Sequence, residues 1–193
     1  MHTTDDEIRT YVETTLSRSG SHGLDHTLRV TALCREIGLV EGADMRVLVP
    51  AALLHDIARP LEAKTGVPHE EEGARIAEEY LGSIGYDTAL VPAVAHAIRA
   101  HRYSTGAAPA TLEAQVLSDA DKLDAIGAVG LARTFLQAGE RGGGIPDAVD
   151  HIHEKLLKLK GLMYTETART LAEERHAFLS AFVGALEDEM RRR

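Results

Sequence analysis

Residues 50–60 read Pro-Ala-Ala-Leu-Leu-His-Asp-Ile-Ala-Arg-Pro and place a histidine and an aspartate together at the end of an apolar helical segment. Charged side chains are rarely buried without a partner, so His55 and Asp56 need a compensating group. Helix neighbours point about 100° apart, so both side chains can approach one ion placed over the groove between them. The alternative is a capping or ion-paired dipeptide at a helix end that Pro60 terminates. The dipeptide alone leaves both interpretations open.

The composition limits the class of protein. The 193 residues include no tryptophan and only 4% aromatic residues, which favours one domain of helices packed through aliphatic side chains. The net charge of −9, without a basic stripe, argues against a nucleic-acid partner. Cys34 is the only cysteine, which excludes an intrachain disulfide and fits a reducing compartment. No segment resembles a signal sequence or a membrane span, so we expect a cytoplasmic protein.

Apolar residues recur at helical spacing along most of the chain, and no alternating strand pattern exceeds a few residues. The sequence therefore predicts an all-α bundle of eight to nine helices in a single domain spanning residues 1–193. Its motif-bearing core covers about residues 20–135, and helices at about residues 147–190 are expected to pack on that core. Proline and glycine predict a loop over residues 60–68, and the next helix is expected to begin at His69.

A later segment, Leu117-Ser-Asp-Ala-Asp-Lys-Leu-Asp-Ala125, carries three aspartates in an otherwise apolar helix. An acid on the inward side of such a helix is costly unless it is metal-bound or paired. Asp121 and Asp124 lie within about 60° of each other around the helix, whereas Asp119 and Asp121 face nearly opposite ways. We therefore expect Asp119 at the helix surface. Spacing alone does not separate Asp121 from Asp124.

Together these positions give the order His, His-Asp, Asp on three predicted helices. The order resembles the H…HD…D signature of the HD superfamily of metal-dependent phosphohydrolases, and the matching residues are His26, His55, Asp56 and Asp121. Three flanking segments are similar to a bacterial branch of small stand-alone HD proteins. They are His22-Gly-Leu-Asp-His-Thr-Leu-Arg-Val30, Ala52-Leu-Leu-His-Asp-Ile57 and Asp119-Ala-Asp-Lys-Leu-Asp-Ala-Ile-Gly-Ala128. The resemblance implies an HD-domain helical bundle.

The resemblance also implies that these four side chains hold a divalent metal, which would polarise a phosphoryl group and activate water as the nucleophile. Two imidazoles and two carboxylates, with no thiolate, suit Mn, Mg, Fe, Co or Zn. Asp56 is both a metal ligand and the nearest candidate for orienting that water or accepting its proton. Lys122, which adjoins Asp121, is the other expected catalytic residue.

Some HD enzymes hold two ions and use two further histidines, at positions that resemble His69 and His101. His96 and His101 are about 140° apart around their helix, so at most one is expected to face the site. His101 is favoured because it adjoins a loop. Phosphate substrates also need cations, and four lie near these positions in the sequence: Arg59, Lys64, Arg102 and Lys122.

The expected function is hydrolysis of a phosphate ester or anhydride, with a nucleoside triphosphate or monophosphate as the leading substrate. The alternatives are phosphodiester cleavage and, in another class, a non-catalytic sensor that binds metal or nucleotide. The residues after Asp56 lack the acidic pair of alarmone hydrolases and the Gly-Tyr-Pro of cyclic-dinucleotide hydrolases. The chain is also short for the helical dNTP triphosphohydrolases. We expect a small phosphate-bearing partner, not a nucleic acid or a membrane, and a monomer or homodimer.

Overall fold

The computed structural model describes residues 4–16, 23–102 and 107–192. Within these ranges the chain forms ten α-helices, one 3₁₀ helix and no strand, which confirms the all-α prediction. Backbone contacts divide the chain into two compact units, Met1–Ala120 and Asp121–Arg193. The assignment of the whole chain to a single domain stays a prediction. No helix in the described part of the chain is both long and apolar enough to span a membrane.

The first unit is built around the third helix. Its helices are α1 (Thr4–Thr15), α2 (Leu24–Glu41), α3 (Met45–Leu54), α4 (Arg59–Thr65), α5 (His69–Ser83), α6 (Val91–Ala100) and the first part of α7 (Leu112–Asp124). Every residue of α3 from Val47 to Leu54 is buried, because this helix packs against α1, α2, α5 and α6. Asp44 caps its N-terminus by accepting a hydrogen bond from the backbone N–H of Arg46.

The predicted loop over residues 60–68 is wrong for residues 60–65, which belong to the short helix α4. Pro60 lies in the first turn of this helix, where a missing backbone N–H breaks no helical hydrogen bond. Gly66 ends α4 in the left-handed conformation, with φ of 70°. The prediction treated both residues as loop signals, although here they mark the two ends of a helix. The next helix begins at His69, as expected.

The second unit contains the end of α7, then α8 (Gly127–Glu140), α9 (Ile145–Glu154), a 3₁₀ helix (Leu156–Leu162) and α10 (Glu166–Arg191). The long helix α10 packs against α8 and the 3₁₀ helix. Inside this unit, the buried carboxylate of Asp124 forms an ion pair with Arg133. Gly130 lies so close to the turn before α8 that a Cβ atom there would be 2.3 Å from the carbonyl of Ala125.

Candidate metal centre

The His-Asp dipeptide lies directly after the last turn of α3. His55 and Asp56 are 0% and 2% exposed. The Nδ1 atom of His55 is 2.7 Å from the carbonyl oxygen of Ala52. A carbonyl only accepts hydrogen bonds, so the proton of a neutral His55 is on Nδ1 and the lone pair is on Nε2. The ring therefore presents a metal-binding nitrogen before any ion arrives.

His26 brings a second nitrogen to the same place from α2. Its Nε2 atom lies 3.3 Å from Nε2 of His55 and 3.6 Å from Oδ2 of Asp56. The third side of this triangle, from Nε2 of His55 to Oδ2 of Asp56, is 3.9 Å. Ligand atoms bound at about 2 Å from one ion lie roughly 3–3.5 Å apart, so these separations are close to those of a metal site.

Two more histidines approach the other oxygen of Asp56. His69, the first residue of α5, places Nε2 at 3.3 Å from Oδ1, and His101, directly after α6, places Nε2 at 3.8 Å. His101 repeats the arrangement of His55, since its Nδ1 atom lies 2.6 Å from the carbonyl oxygen of Ile98. The ligand atoms of Asp56, His69 and His101 all lie within 4.8 Å of one another. Each oxygen of Asp56 thus faces a different pair of histidines.

Carboxylates and guanidinium groups surround the outer nitrogen of His69. Its Nδ1 atom lies 3.2 Å from an oxygen of Glu62 and 3.2 Å from an oxygen of Glu70. Arg59 donates to Glu62 over 3.0 Å, and Arg102 donates to Glu62 over 2.9 Å and to Glu70 over 3.2 Å. Burial raises the pKa of Glu62, but hydrogen bonds from His69, Arg59 and Arg102 outweigh it and lower the pKa to about 2. Glu62 is therefore a carboxylate at neutral pH.

His69 has the properties of a metal ligand. Burial lowers its pKa, and the charge of Arg59 acts in the same direction against the opposing charge of Asp56. The ring is therefore neutral at pH 7. Its Nε2 atom is buried and makes no hydrogen bond to the described residues, although an unsatisfied polar atom in a protein interior is costly. A cation beside Asp56 would satisfy this nitrogen, so the donor set fits a divalent metal.

The remaining predicted residues lie as follows. Asp121, the fourth ligand expected from the sequence, is partly exposed on α7 and is the first residue of the second unit. Its role as a ligand stays a prediction. Lys122 is buried, with its ammonium 4.7 Å from the ring centre of Tyr164. Lys64 is exposed on α4. Its contact with phosphate, like that of Lys122, stays a prediction.

Two other histidines and one aspartate complete the comparison with the sequence. His96 lies apart from the cluster and accepts a hydrogen bond from the backbone N–H of Ala110. The placement of Asp119 at the helix surface is wrong, because its side chain is fully buried within the first unit. A two-residue offset from Asp121 suggested the opposite face, but a helix in a packed interior can be buried on more than one side. His22 lies outside the described residues.

The sequence pattern did not indicate that Glu62 and Glu70 belong to the site. Glu62 fell in the predicted loop, and Glu70 was one of three successive glutamates that looked like a solvated helix start. The available signal was position, because Glu62 is three residues after Arg59 and seven before His69 in the sequence. Only the folded chain brings both carboxylates to one imidazole.

Helices that bring buried histidines and an aspartate together in this order define the HD class of metal-dependent hydrolases. A family model, the HD domain, matches residues 23–126, and the chain belongs to this family. It is 38% identical over 196 residues to the Bacillus subtilis protein YpgQ, covering 96% of this chain and 93% of that protein. The crystal structure of YpgQ in complex with ADP superposes with a TM-score of 0.81 at 35% identity, covering 96% and 97% of the two chains.

A second solved structure supports the same assignment. It is a predicted HD superfamily hydrolase from an uncultured Thermotogales bacterium, 37% identical to this chain with a TM-score of 0.72. The similarity covers 95% of this chain and 91% of that one. These relatives resemble the chain well beyond the residues of the signature.

Proposed function

We propose that this HD-domain protein is a two-metal phosphohydrolase that acts on a nucleotide. The proposal rests on one arrangement, the buried carboxylate of Asp56 with an oxygen toward each of two histidine pairs. One ion would be held by His26, His55 and Asp56, and the other by Asp56, His69 and His101. When bound, such ions would supply Lewis-acid activation of a phosphoryl oxygen and of the attacking water.

The residues around the cluster suit a phosphate-bearing substrate. The side chains of Arg59 and Arg102 are 27% and 32% exposed, so their guanidinium groups can reach an incoming anion. The Nε atom of Arg59 lies 3.7 Å from Oδ1 of Asp56, and its N–H is buried without a hydrogen bond in the part of the chain that the structure describes. A phosphate oxygen would satisfy this donor and pair with its charge. We therefore assign Arg59 and Arg102 to substrate binding.

The crystal structure of the relative YpgQ in complex with ADP supports a nucleotide as the substrate in this proposal. A nucleoside triphosphate or monophosphate is our leading substrate, and phosphodiester cleavage is the alternative. In this scheme Asp121 adds the fourth ligand that the sequence pattern predicts. Asp56, as the ligand that would be shared, would also orient the attacking water.

The test is release of phosphate and pyrophosphate from nucleoside mono-, di- and triphosphates and from a phosphodiester. Metal-stripped protein is assayed with Mn, Mg, Co or Zn added back. We expect metal-dependent turnover that Asp56→Asn abolishes and that Asp150→Asn, an exposed change on α9, leaves unchanged. The product identifies the bond that is cleaved.

A sensor module is the alternative from another class, and the same assay separates it from an enzyme. Tight metal and nucleotide binding without turnover of any substrate would favour the sensor. Turnover that persists in Asp56→Asn would contradict the proposed site, because that variant removes the carboxylate shared by both ions.

A further inference from the structure

Three of the four histidines around Asp56, namely His55, His69 and His101, are held at their outer nitrogens in two different ways. His55 and His101 each point Nδ1 at a backbone carbonyl three residues earlier, that of Ala52 and that of Ile98. Both follow the last turn of a helix, where carbonyls lack an intrahelical donor. Their tautomers are thus set by the backbone of their own helices.

His69 is the first residue of α5, so no preceding turn of its own helix offers a carbonyl to Nδ1. A side chain is the acceptor instead. The carboxylate of Glu62 on α4 forms a hydrogen bond with its Nδ1 atom over 3.2 Å, and an oxygen of Glu70 lies at the same distance. Arg59 lies 3.1 Å from the same nitrogen and could donate to it only if the proton were on Nε2. That proton would then be buried without a hydrogen bond to any described residue, because Oδ1 of Asp56, although 3.3 Å from Nε2, is not placed to complete one. The contact with Glu62 therefore favours a proton on Nδ1.

Glu62 is itself held in place. Arg59 donates to one of its oxygens over 3.0 Å, and Arg102 donates to the other over 2.9 Å. The first contact lies within α4, and the second joins α4 to the residue after His101. The carboxylate consequently has little freedom to turn away from the imidazole.

We infer that Glu62 is a positioning residue for the second metal: it holds the proton of His69 on Nδ1 and so directs the Nε2 lone pair to the ion shared with Asp56 and His101. This inference rests on the two-metal function proposed above. Carboxylates behind ligating histidines commonly act in this way, and their loss costs about 10–100-fold in metal affinity. Glu62 itself does not touch the ion or the substrate.

The test measures Mn²⁺ binding by calorimetry and by the EPR signal of an exchange-coupled Mn pair. We expect two ions on the wild-type protein. Glu62→Ala should weaken the second ion by about 10–100-fold and remove the coupled signal, while the first ion binds as before. Glu62→Gln keeps an oxygen acceptor for Nδ1–H and should restore most of the affinity. Glu71→Ala is the matched control, because Glu71 is an exposed glutamate on α5, the helix that His69 begins. This variant should bind both ions normally.

The possible results distinguish a failure of the role of Glu62 from a failure of the proposed two-metal function. Two ions bound with unchanged affinity by Glu62→Ala would overturn the role of Glu62 and leave the two-metal site standing. A wild-type protein that binds at most one ion would overturn both. Retained affinity for the first ion in Glu62→Ala shows that the variant is folded, and circular dichroism provides an independent check. A loss in Glu62→Gln equal to that in Glu62→Ala would contradict the assigned acceptor role.

Discussion

The Nδ1–H group of His55 donates to the carbonyl oxygen of Ala52, one turn earlier on α3, over 2.7 Å. This hydrogen bond uses a carbonyl that the end of the helix leaves without a donor. It also sets the imidazole so that Nε2 faces His26 and Asp56. The end of α3 therefore supplies the orientation of a metal ligand directly from backbone geometry.

Metal binding should raise thermal stability through Asp56. A metal at about 100 times its dissociation constant adds roughly 2.7 kcal/mol, which corresponds to about 5–10 °C for a chain of this size. We expect Mn²⁺ to raise Tm by that amount in metal-stripped wild-type protein, measured by differential scanning calorimetry. Asp56→Asn should show a rise of less than about 2 °C at the same concentration. An equal rise in both proteins would mean that the ions bind elsewhere.

Replacing the two histidines of the α6 region should have different effects. His101→Gln removes an Nε2 atom that faces Asp56, so we expect loss of one of the two bound Mn²⁺ ions and a fall in kcat of about 100-fold or more. His96→Gln should retain both ions and its activity, because His96 lies apart from the cluster and its ring accepts a hydrogen bond from the backbone N–H of Ala110 in the loop before α7. Metal content by mass spectrometry and steady-state kinetics check both expectations. The converse pattern would assign the second site to His96.

The guanidinium of Arg59 should contribute to substrate binding. A hydrogen bond to a charged group contributes about 1.5–3 kcal/mol, so Arg59→Ala should raise KM for the nucleotide by roughly 10–100-fold. Arg75→Ala is the matched control, because Arg75 is exposed on α5 and pairs only with Glu72 and Glu79 among the contacts described. Initial-rate kinetics at fixed Mn²⁺ provide the measurement. An unchanged KM in Arg59→Ala would remove this residue from the phosphate site.

Two glycines of α8 should respond oppositely to alanine. At Gly130 a Cβ atom would lie 2.3 Å from the carbonyl of Ala125, and backbone cannot move aside as a flexible side chain can. Gly130→Ala should therefore destabilise the protein by about 1–3 kcal/mol. A Cβ atom at Gly139 would meet no atom of another described residue within 4 Å, so Gly139→Ala should stabilise the protein by roughly 0.5–1 kcal/mol. Urea denaturation followed by circular dichroism measures both free energies of unfolding. Equal effects would show that the backbone in solution leaves room for a Cβ atom between residue 130 and the carbonyl of Ala125.

The parts of the fold that depend on local pattern were predictable. Helical spacing predicted the all-α class, and the sequence also predicted the start of α5 at His69. Pro60 and Gly66 misled the prediction because the same residues serve loops and helix ends, and α4 is only seven residues long. The burial of Asp119 was also missed, since a spacing argument cannot count the neighbours on each side of a helix.

The sequence by itself determined which side chains are available to a metal, because His55 and Asp56 adjoin a helix end and the other candidates match a known signature. Only the tertiary structure decided how they combine. It brings residues from α2, α5 and the end of α6 to the two oxygens of Asp56. It also places Glu62 between His69 and Arg102, although Arg102 lies forty residues after Glu62 in the chain. Such contacts depend on helix packing, which local periodicity does not specify.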